Sequence, residues 1–448
     1  MKNILDLLEE LVSIDTTNDP VQGKKPNDNA PKLVRDVLDS WGIHSEIIES
    51  NGYYSVYGEI GKGRPVLMFL AHLDVVPAYP DEWNTDPFEL IVKDDKAYGR
   101  GSTDDKGNVA AIMFALKELS KTIARGKVLF AFTCDEEIGG INGARVIAEK
   151  LRNENLLPKY LINGDGSGMR PIIRRRKGFK VIIESPEKRI KVRGRRLKIE
   201  FEVRTPVIPT RHSAYFMPGV DTHPMIAVSH FLRGNPEYTA VSIEGLFIKS
   251  NVIPPKVTLE YVDPNGDEEI EADYGLTELM KALVPLVRCP IPVKKHSDYG
   301  ISIMPNVYMK RNGKHVLEID IRAMTDDKNL IREALSRAIS FTSSIVSIRD
   351  IRTGPGKYLF TPPDAVLPQT AIEVLKDIGI KAEPVEAAGA SDSRYFTPFG
   401  VECIDFGPIG GNIHGPNEWI DVKSLKVLPK FYAEVARRLI IIEERKHC

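Results

Sequence analysis

The sequence predicts an α/β protein: a larger domain with a mostly parallel central sheet flanked by helices, and an inserted, smaller α+β domain of two layers. Three observations predict it. Continuous apolar runs of strand length, such as residues 66–71, end in polar side chains, which is typical of strands buried on both faces of a sheet. Amphipathic stretches with helical spacing alternate with these runs. Between residues 177 and 352, short strands instead alternate apolar and polar side chains, as in a sheet with one solvated face.

Two amphipathic helices are predicted at the start of the chain. Leucines recur at helical spacing among acidic residues in residues 1–12, and residues 29–41 show a similar pattern with Asn29 as a suitable N-cap. An Asn-Gly turn then separates two strands within residues 45–60. Later segments of the same domain are a helix over residues 108–120 and buried strands over residues 127–133 and 160–162.

The inserted domain is assigned to residues 177–352, which divides the larger domain into residues 1–176 and 353–448. Its sequence mixes alternating strands with helical stretches, as expected for an α+β layer structure. The strands are clearest at residues 197–203 and 316–322, and the helices at residues 222–233 and 329–344.

Composition argues against several classes of protein. The chain carries 61 basic and 62 acidic residues, a formal net charge of −1, which argues against a general nucleic-acid-binding protein. Its four cysteines are scattered without a C-x-x-C pair, so neither a disulfide scaffold nor a zinc ribbon is expected. No apolar run approaches the ~20 residues that a membrane span needs, and the N-terminus lacks the apolar core of a signal peptide. These features predict a cytoplasmic protein without nucleic-acid or membrane partners.

Acidic and imidazole side chains follow three predicted strands. His72 and Asp74 follow the first strand, Glu136 and Glu137 the second, and Asp165 the third. Because parallel strands bring their carboxyl ends to one edge of a sheet, we expect these side chains to lie close together. Adjacent carboxylates repel one another beside an apolar strand unless a cation stabilises them. The sequence therefore predicts a metal site at this edge.

Asp104 and His414 complete the predicted set of ligands. Asp104 follows a glycine-punctuated turn before the predicted helix at residues 108–120, and His414 lies in a glycine-rich segment near the C-terminus. Together with the side chains above they form a mixed nitrogen and oxygen set that suits zinc, cobalt or manganese. Taken singly, each motif has another explanation: His72 and Asp74 could form a hydrogen-bonded surface pair, and the acids at residues 104–105 could cap a helix.

These motifs resemble those of the M20 metallopeptidase family. That family contains acetylornithine deacetylase, succinyl-diaminopimelate desuccinylase, glutamate-releasing carboxypeptidases and several dipeptidases. The matching segments occur in the right order and spacing over nearly the whole chain, at residues 71–77, 99–107, 135–137 and 414–418. The resemblance implies an amide hydrolase with two divalent metal ions, for which zinc is expected and cobalt or manganese are alternatives.

The resemblance also implies a role for each motif residue. It implies five metal ligands: His72 and Asp165 on one ion, Glu137 and His414 on the other, and Asp104 bridging both. It implies two catalytic residues as well: Glu136, the general base toward a water that bridges the metals, and Asp74, which orients His72.

Three further residues match functional positions of the family. His212, within Arg-His-Ser-Ala, is implied to stabilise the tetrahedral oxyanion, and Asn251 to hold substrate. Arg394, within the Ser-Asp-x-Arg motif of the deacetylase and desuccinylase branch, is implied to bind a substrate carboxylate, a task for which a guanidinium is suited. Because the family's inserted domain usually mediates dimerisation, a homodimer is expected.

The sequence departs from the family pattern at three places. Asp165 stands where relatives often carry Glu followed by Pro, and Asp105 occupies an often apolar position and is assigned no role. Residues 174–204 are crowded with arginine and lysine. Interspersed acidic residues predict solvated strand faces there, with attraction of an anionic substrate as the alternative.

The predicted reaction is hydrolysis of the amide bond of an N-acyl amino acid with a free carboxylate, as in succinyl-diaminopimelate desuccinylase or acetylornithine deacetylase. A carboxypeptidase or dipeptidase acting on short peptides is the alternative, since the same metal centre would serve it. A non-enzymatic binding protein on a degenerate fold is the third hypothesis. Loss of Glu136 or of a ligand would favour it, and none is lost.

Overall fold

The computed structural model describes residues 3–123, 125–208 and 210–446, and the chain divides into two compact units. The first unit contains the described residues up to Arg175 and from Pro355 onward, and the second is Arg176–Gly354. The second unit is therefore an insertion in the sequence of the first. Residues 1 and 2 of the predicted N-terminal helix lie outside the described residues.

The first part of the first unit alternates helices and strands. Its helices are α1 (Ile4–Ser13), α2 (Asn29–Ser40), α3 (Lys106–Leu119) and α4 (Ala144–Asn153). Its strands are β1 (Ser45–Ser50), β2 (Tyr53–Lys62), β3 (Pro65–His72), β4 (Ile91–Lys93), β5 (Lys96–Tyr98), β6 (Gly126–Thr133), β7 (Tyr160–Asn163) and β8 (Ile172–Arg175).

The second unit and the remainder of the first follow along the chain. The second unit contains strands β9 (Lys177–Pro186), β10 (Arg189–Glu202), β11 (Thr239–Gly245), β12 (Lys256–Asp273), β13 (Ser302–Arg311), β14 (Lys314–Ala323) and β15 (Ser347–Thr353), and helices α5 (Pro224–Gly234), α6 (Tyr274–Val287) and α7 (Lys328–Ser340). The first unit then adds strands β16 (Leu359–Phe360), β17 (Val385–Ala387), β18 (Glu402–Asp405), β19 (Gly410–Gly411) and β20 (Trp419–Asp421), and helices α8 (Val366–Asp377) and α9 (Val422–Lys446).

The predicted mostly parallel central sheet is confirmed in the first unit. Its strand order is β1-β2-β6-β3-β7-β18-β8-β16, with β17 paired to β8. The four central strands β6, β3, β7 and β18 are mutually parallel, and antiparallel strands lie toward both edges. Helices α1, α3 and α9 share one hydrophobic core with this sheet, in which Phe69 of β3 meets Tyr432 of α9 edge-on at 5.4 Å. Burying each such side chain contributes roughly 1.5–3 kcal/mol.

Most predicted elements of this unit are confirmed within a few residues, but one helix boundary was wrong. The N-cap of α2 is Asp28 rather than Asn29. The physical reason is local: Asn27 Oδ1 accepts the backbone N–H of Asn29 at 2.9 Å, so Asn29 is already inside the helix.

The second unit has the two antiparallel sheets expected of an α+β domain, with strand orders β13-β14-β9-β15 and β10-β12-β11. Helices α5, α6 and α7 share a core with both sheets. The sequence analysis missed α6, which follows directly from a strand without an intervening loop. Asp273 caps this helix by accepting the Leu276 N–H at 3.1 Å, and this side chain was the available signal.

The arginine- and lysine-rich stretch has two different environments. On β10, the cations face acidic partners on β12, for example Lys191 with Glu269 at 2.6 Å, as expected of a solvated strand face. Arg175 and Arg176 are instead buried, with 7% and 1% of their surface exposed. The prediction of a solvated face was therefore wrong for these two arginines, because Arg175 pairs with the buried Asp405 in the first unit and Arg176 donates to the Ala214 carbonyl oxygen, at 2.7 Å, in the second.

None of the helices in the described part of the chain combines the length and the apolar character needed to cross a membrane.

Candidate metal centre and active site

The four central parallel strands bring their carboxyl ends to one edge of the sheet. His72 is the last residue of β3, and Asp405 is the last residue of β18. Strand β6 leads into the 3₁₀ turn Glu136–Ile138, and β7 leads into the glycine-rich turn that carries Asp165. The topology thus collects at one edge the side chains that follow these strands.

Asp104 lies between two imidazoles. Its Oδ1 is 3.0 Å from His72 Nε2, and its Oδ2 is 3.2 Å from His414 Nε2. The same His414 nitrogen lies 3.1 Å from Glu137 Oε2. One carboxylate thereby joins two sets of ligand atoms, each containing one imidazole.

These residues fit a divalent cation. Among the described residues, His72, Asp104 and Glu137 offer ligand atoms that all lie within 4.8 Å of one another, so they could share an ion. Imidazole nitrogen and carboxylate oxygen suit zinc, and also cobalt or manganese. His414, half of whose side chain is exposed, extends the group from its solvent side.

The charges in this group are strongly coupled. Burial alone lowers the pKa of His414, but the charge of Glu137 and hydrogen bonds to Asp104 and Glu137 raise it to about 12. The pKa of His72 is likewise raised, because its hydrogen bonds to Asp104 and Asp74 outweigh burial. Both imidazoles therefore keep a proton at neutral pH when carboxylates are their only partners.

Asp165 has a cationic partner of its own. Arg175 Nη2 donates to its carbonyl oxygen and lies 3.2 Å from its Oδ1. Burial raises the pKa of Asp165; the Arg175 charge lowers it, and the charges of Glu136 and Asp104 raise it again. Asp165 does not belong to the group of three described residues, His72, Asp104 and Glu137, whose ligand atoms lie within 4.8 Å of one another.

Asp74 contacts the His72 ring, the Glu136–Glu137 backbone and Asn18. His72 Nδ1 lies 3.0 Å from the backbone oxygen of Asp74 and 3.5 Å from its carboxylate. The carboxylate accepts the backbone N–H groups of Glu136 and Glu137, at 3.1 and 3.2 Å, and the side-chain amide of Asn18 at 2.9 Å. Asp74 therefore positions the Glu136–Glu137 backbone as well as contacting the His72 ring.

Glu136 and Arg394 meet beside this group. Arg394 Nη2 is 3.9 Å from Glu136 Oε1 and 3.1 Å from Asp392 Oδ1. Burial and the Asp392 charge raise the pKa of Glu136, and the charges of His72 and Arg394 lower it. Arg394 Nε and Asp392 Oδ2 are buried without a hydrogen-bond partner among the described residues. Both atoms could therefore bind a polar ligand or water.

Two positioning residues were missed by the sequence analysis. Glu418, 1% exposed, accepts the backbone N–H groups of Gly101, Thr103 and Asp104 at 2.9–3.0 Å and pairs with Arg100. Asp105, which was assigned no role, accepts the backbone N–H of His72 at 3.2 Å. The signal for Glu418 was its place at the end of the motif that contains His414.

His212 and Asn251 lie together in the second unit. Asn251 Nδ2 is 3.2 Å from His212 Nε2, and Ser213 N donates to the Asn251 carbonyl oxygen at 2.9 Å. His212 Nδ1 accepts the backbone N–H of Ala214 at 3.2 Å.

The central sheet is flanked by helices, and its carboxyl edge carries a group of imidazoles and carboxylates beside the buried Glu136. Metal-dependent hydrolases have this arrangement. The chain belongs to peptidase family M20/M25/M40, whose model matches residues 68–438. The protein is accordingly an amide-bond hydrolase, and the predicted family resemblance is confirmed.

Individual relatives differ in their substrates. The chain is 27% identical over 409 residues to succinyl-diaminopimelate desuccinylase from Xanthomonas euvesicatoria, covering 89% of this chain and 90% of that protein. Among solved structures, it resembles aminoacylhistidine dipeptidase from Vibrio alginolyticus (TM-score 0.70, 14% identity, 97% and 96% coverage). It also resembles an M20 family metallo-carboxypeptidase from Sulfolobus solfataricus (TM-score 0.60, 18% identity, 98% and 100% coverage). These two structural similarities establish the fold.

Proposed function

We propose that the protein hydrolyses the amide bond of N-acyl amino acids that carry a free carboxylate, in the manner of a desuccinylase or deacetylase. The observation that carries this proposal is the position of Asp104 between His72 and His414, with Glu136 and Arg394 close by at the same sheet edge. It combines a metal-binding group, a candidate base and a candidate carboxylate anchor.

The metal ligands of the proposal are His72, Asp104, Glu137, Asp165 and His414. Two divalent ions, zinc first among them, would polarise the scissile carbonyl and lower the pKa of the attacking water. The Oδ1 and Oδ2 atoms of Asp104 face different imidazoles, which supports a bridging role. Asp74, Asp105 and Glu418 fix the backbone segments that carry these ligands.

Glu136 is the proposed general base. Its carboxylate accepts a proton from water and delivers it to the amine that leaves. A buried carboxyl group with a raised pKa suits both steps, because it holds a proton more readily than an exposed glutamate does. Asp74 keeps the backbone of this residue fixed, which limits the reorganisation needed for the transfer.

Arg394 is the proposed anchor of the substrate carboxylate. It is largely buried, and Asp392 holds one end of the guanidinium at 3.1 Å. A guanidinium in this state can still pair with a second carboxylate through its remaining N–H groups. Its distance of 3.9 Å from Glu136 would place the anchored end of a substrate near the base.

His212 and Asn251 are proposed to stabilise the oxyanion and to hold the substrate, respectively, as the family motifs around them imply. An imidazole N–H group of His212 would be the donor that a developing oxyanion requires. The Asn251 side chain, 3.2 Å from His212 Nε2, would hold the substrate beside it. A homodimer in the cytoplasm stays a prediction from the sequence.

The test is amide hydrolysis by metal-stripped protein reconstituted with zinc, cobalt or manganese. The substrates are N-succinyl and N-acetyl amino acids, the same compounds with the carboxylate converted to a carboxamide, and a set of dipeptides. We expect metal-dependent hydrolysis of the acyl amino acids and a loss of at least ~10-fold in kcat/KM for the carboxamides. Cleavage of dipeptides alone would replace the proposal with the peptidase alternative.

Two variants distinguish a specific role of Arg394 in binding the substrate carboxylate from a general effect of losing one positive charge. Arg394→Met should remove the preference for the carboxylate over the carboxamide. Arg145→Met is the matched control, because Arg145 pairs with Glu149 on the exposed side of α4. An unchanged preference in Arg394→Met would remove Arg394 from the proposed role.

A further inference from the structure

Arg175 uses every nitrogen of its guanidinium in contacts within the first unit. Nε donates to Asp405 Oδ2, Nη1 donates to the Gly389 carbonyl oxygen at 3.3 Å, and Nη2 donates to the Asp165 carbonyl oxygen and lies 3.2 Å from Asp165 Oδ1. A rigid planar fork is required to reach three partners at once, and a lysine ammonium cannot reproduce it.

Asp405 is the second member of this network. It is the fully buried last residue of β18, and its two carboxylate oxygens have different partners. Oδ2 accepts from Arg175, while Oδ1 accepts from the hydroxyl of Ser393. Ser393 immediately precedes Arg394, so a single carboxylate contacts both the arginine beside Asp165 and the segment that carries the proposed substrate anchor.

The turn around Asp165 explains why the side chain needs such support. Gly164 and Gly166 flank it and pack tightly: a Cβ at Gly166 would lie 2.5 Å from the backbone nitrogen of Phe406. These contacts fix the backbone of the turn but leave the Asp165 side chain to be oriented by other groups. Arg175 is the group that contacts its Oδ1, at 3.2 Å.

We propose that Arg175 and Asp405 are positioning residues that present Asp165 to the metal ion it would share with His72, here called the second ion, and hold the Arg394 segment in a fixed relation to it. The inference rests on the proposed two-metal function. The charge of Arg175 by itself would weaken cation binding at Asp165, but the buried Asp405 compensates that charge. The net electrostatic effect of the pair is therefore small, and orientation of the carboxylate decides the outcome.

The experiment measures metal binding rather than turnover. Metal-stripped wild type, Arg175→Lys and Arg174→Lys are titrated with Zn²⁺ by calorimetry, and bound zinc is counted by elemental analysis. Arg174 is the matched control: it precedes Arg175 on β8, points to the opposite face, and lies 3.7 Å from Glu386. Asp405→Asn is a near-isosteric second variant that removes the charge anchoring Arg175.

We expect wild type and Arg174→Lys to bind two ions. Arg175→Lys and Asp405→Asn should bind the first ion with unchanged affinity and the second at least ~10-fold more weakly, the usual effect of losing a group that orients a ligand. Unchanged thermal midpoints in the metal-free variants would show that the fold is retained.

Two results would overturn the inference: tight binding of both ions by Arg175→Lys and Asp405→Asn, or equal weakening of both ions. A wild type that binds a single ion would overturn the two-metal proposal itself. A wild type that binds two ions but hydrolyses no acyl amino acid would overturn only the proposed substrate class.

Discussion

Two charged regions of the protein hold carboxylates beside cationic partners under opposite conditions of burial. At the carboxyl edge of the central sheet, His72, Asp104, Glu136 and Glu137 form a largely buried cluster, joined by the half-exposed His414, and all five residues have shifted pKa values. On the face shared by β10 and β12, exposed cations pair with acidic residues of the facing strand, as Lys191 does with Glu269 and Arg195 with Asp263. The first arrangement is costly because buried carboxylates crowd together, whereas the second is nearly neutral in free energy. Buried ionisable groups with strongly shifted pKa values are typical of functional sites.

Glu136→Gln tests the sheet-edge cluster most severely. We expect kcat to fall by ~1,000-fold or more while zinc content stays at the wild-type level, because the amide cannot accept the proton. Steady-state kinetics and elemental analysis measure the two quantities. Glu137→Gln is the adjacent control and should instead lose zinc, since Glu137 is a proposed ligand. Near-normal turnover of Glu136→Gln would mean that another group is the base.

Glu418→Gln tests the buried carboxylate that binds the backbone next to Asp104 and pairs with Arg100. The amide NH2 would face backbone N–H donors that now point at a carboxylate oxygen, and Arg100 would lose its buried counter-charge. We expect the free energy of unfolding to fall by ~3 kcal/mol, measured by denaturant titration. The exposed Glu82→Gln is the control and should change little. If both variants unfold alike, the buried pair contributes no specific stability.

The pH dependence of metal uptake tests the charge coupling. His72 and His414 have raised pKa values and are protonated in the metal-free protein at neutral pH, but only a deprotonated imidazole binds a metal. Zinc affinity should therefore rise with pH, by about 10-fold per unit for each proton displaced. Calorimetry in buffers of different ionisation enthalpy counts the protons released. An affinity that is constant between about pH 6 and 8 would contradict this coupling.

Lys191→Ala tests the other side of the comparison. Its ion pair with Glu269 is exposed at both ends, so solvent and salt screen the attraction. We expect the thermal midpoint to shift by less than ~2 °C, with turnover unchanged. A large loss of stability or activity would show that the charged side chains of β10 do more than keep this face of the strand in contact with solvent.

Strand ends and helix patterns could be predicted because they depend on local spacing. The apolar runs before His72, Glu136 and Asp165 correspond to β3, β6 and β7, and the predicted parallel arrangement places their ends at one edge. Helix α6 was missed, since a capping Asp at the end of a strand carries no periodic signal of its own.

The sequence by itself determined the fold class, the family and the residues proposed to bind metal, because short motifs after buried strands are recognisable without knowing their neighbours. Only the tertiary structure decided which arginines of the basic stretch are buried. It also decided which residues form hydrogen bonds with the Glu418 and Asp405 carboxylates. Glu418 meets Arg100 across 318 positions of the chain, and Asp405 meets Arg175 across 230. Such contacts depend on the order of strands in the sheet and on burial, and no local pattern of residues encodes either.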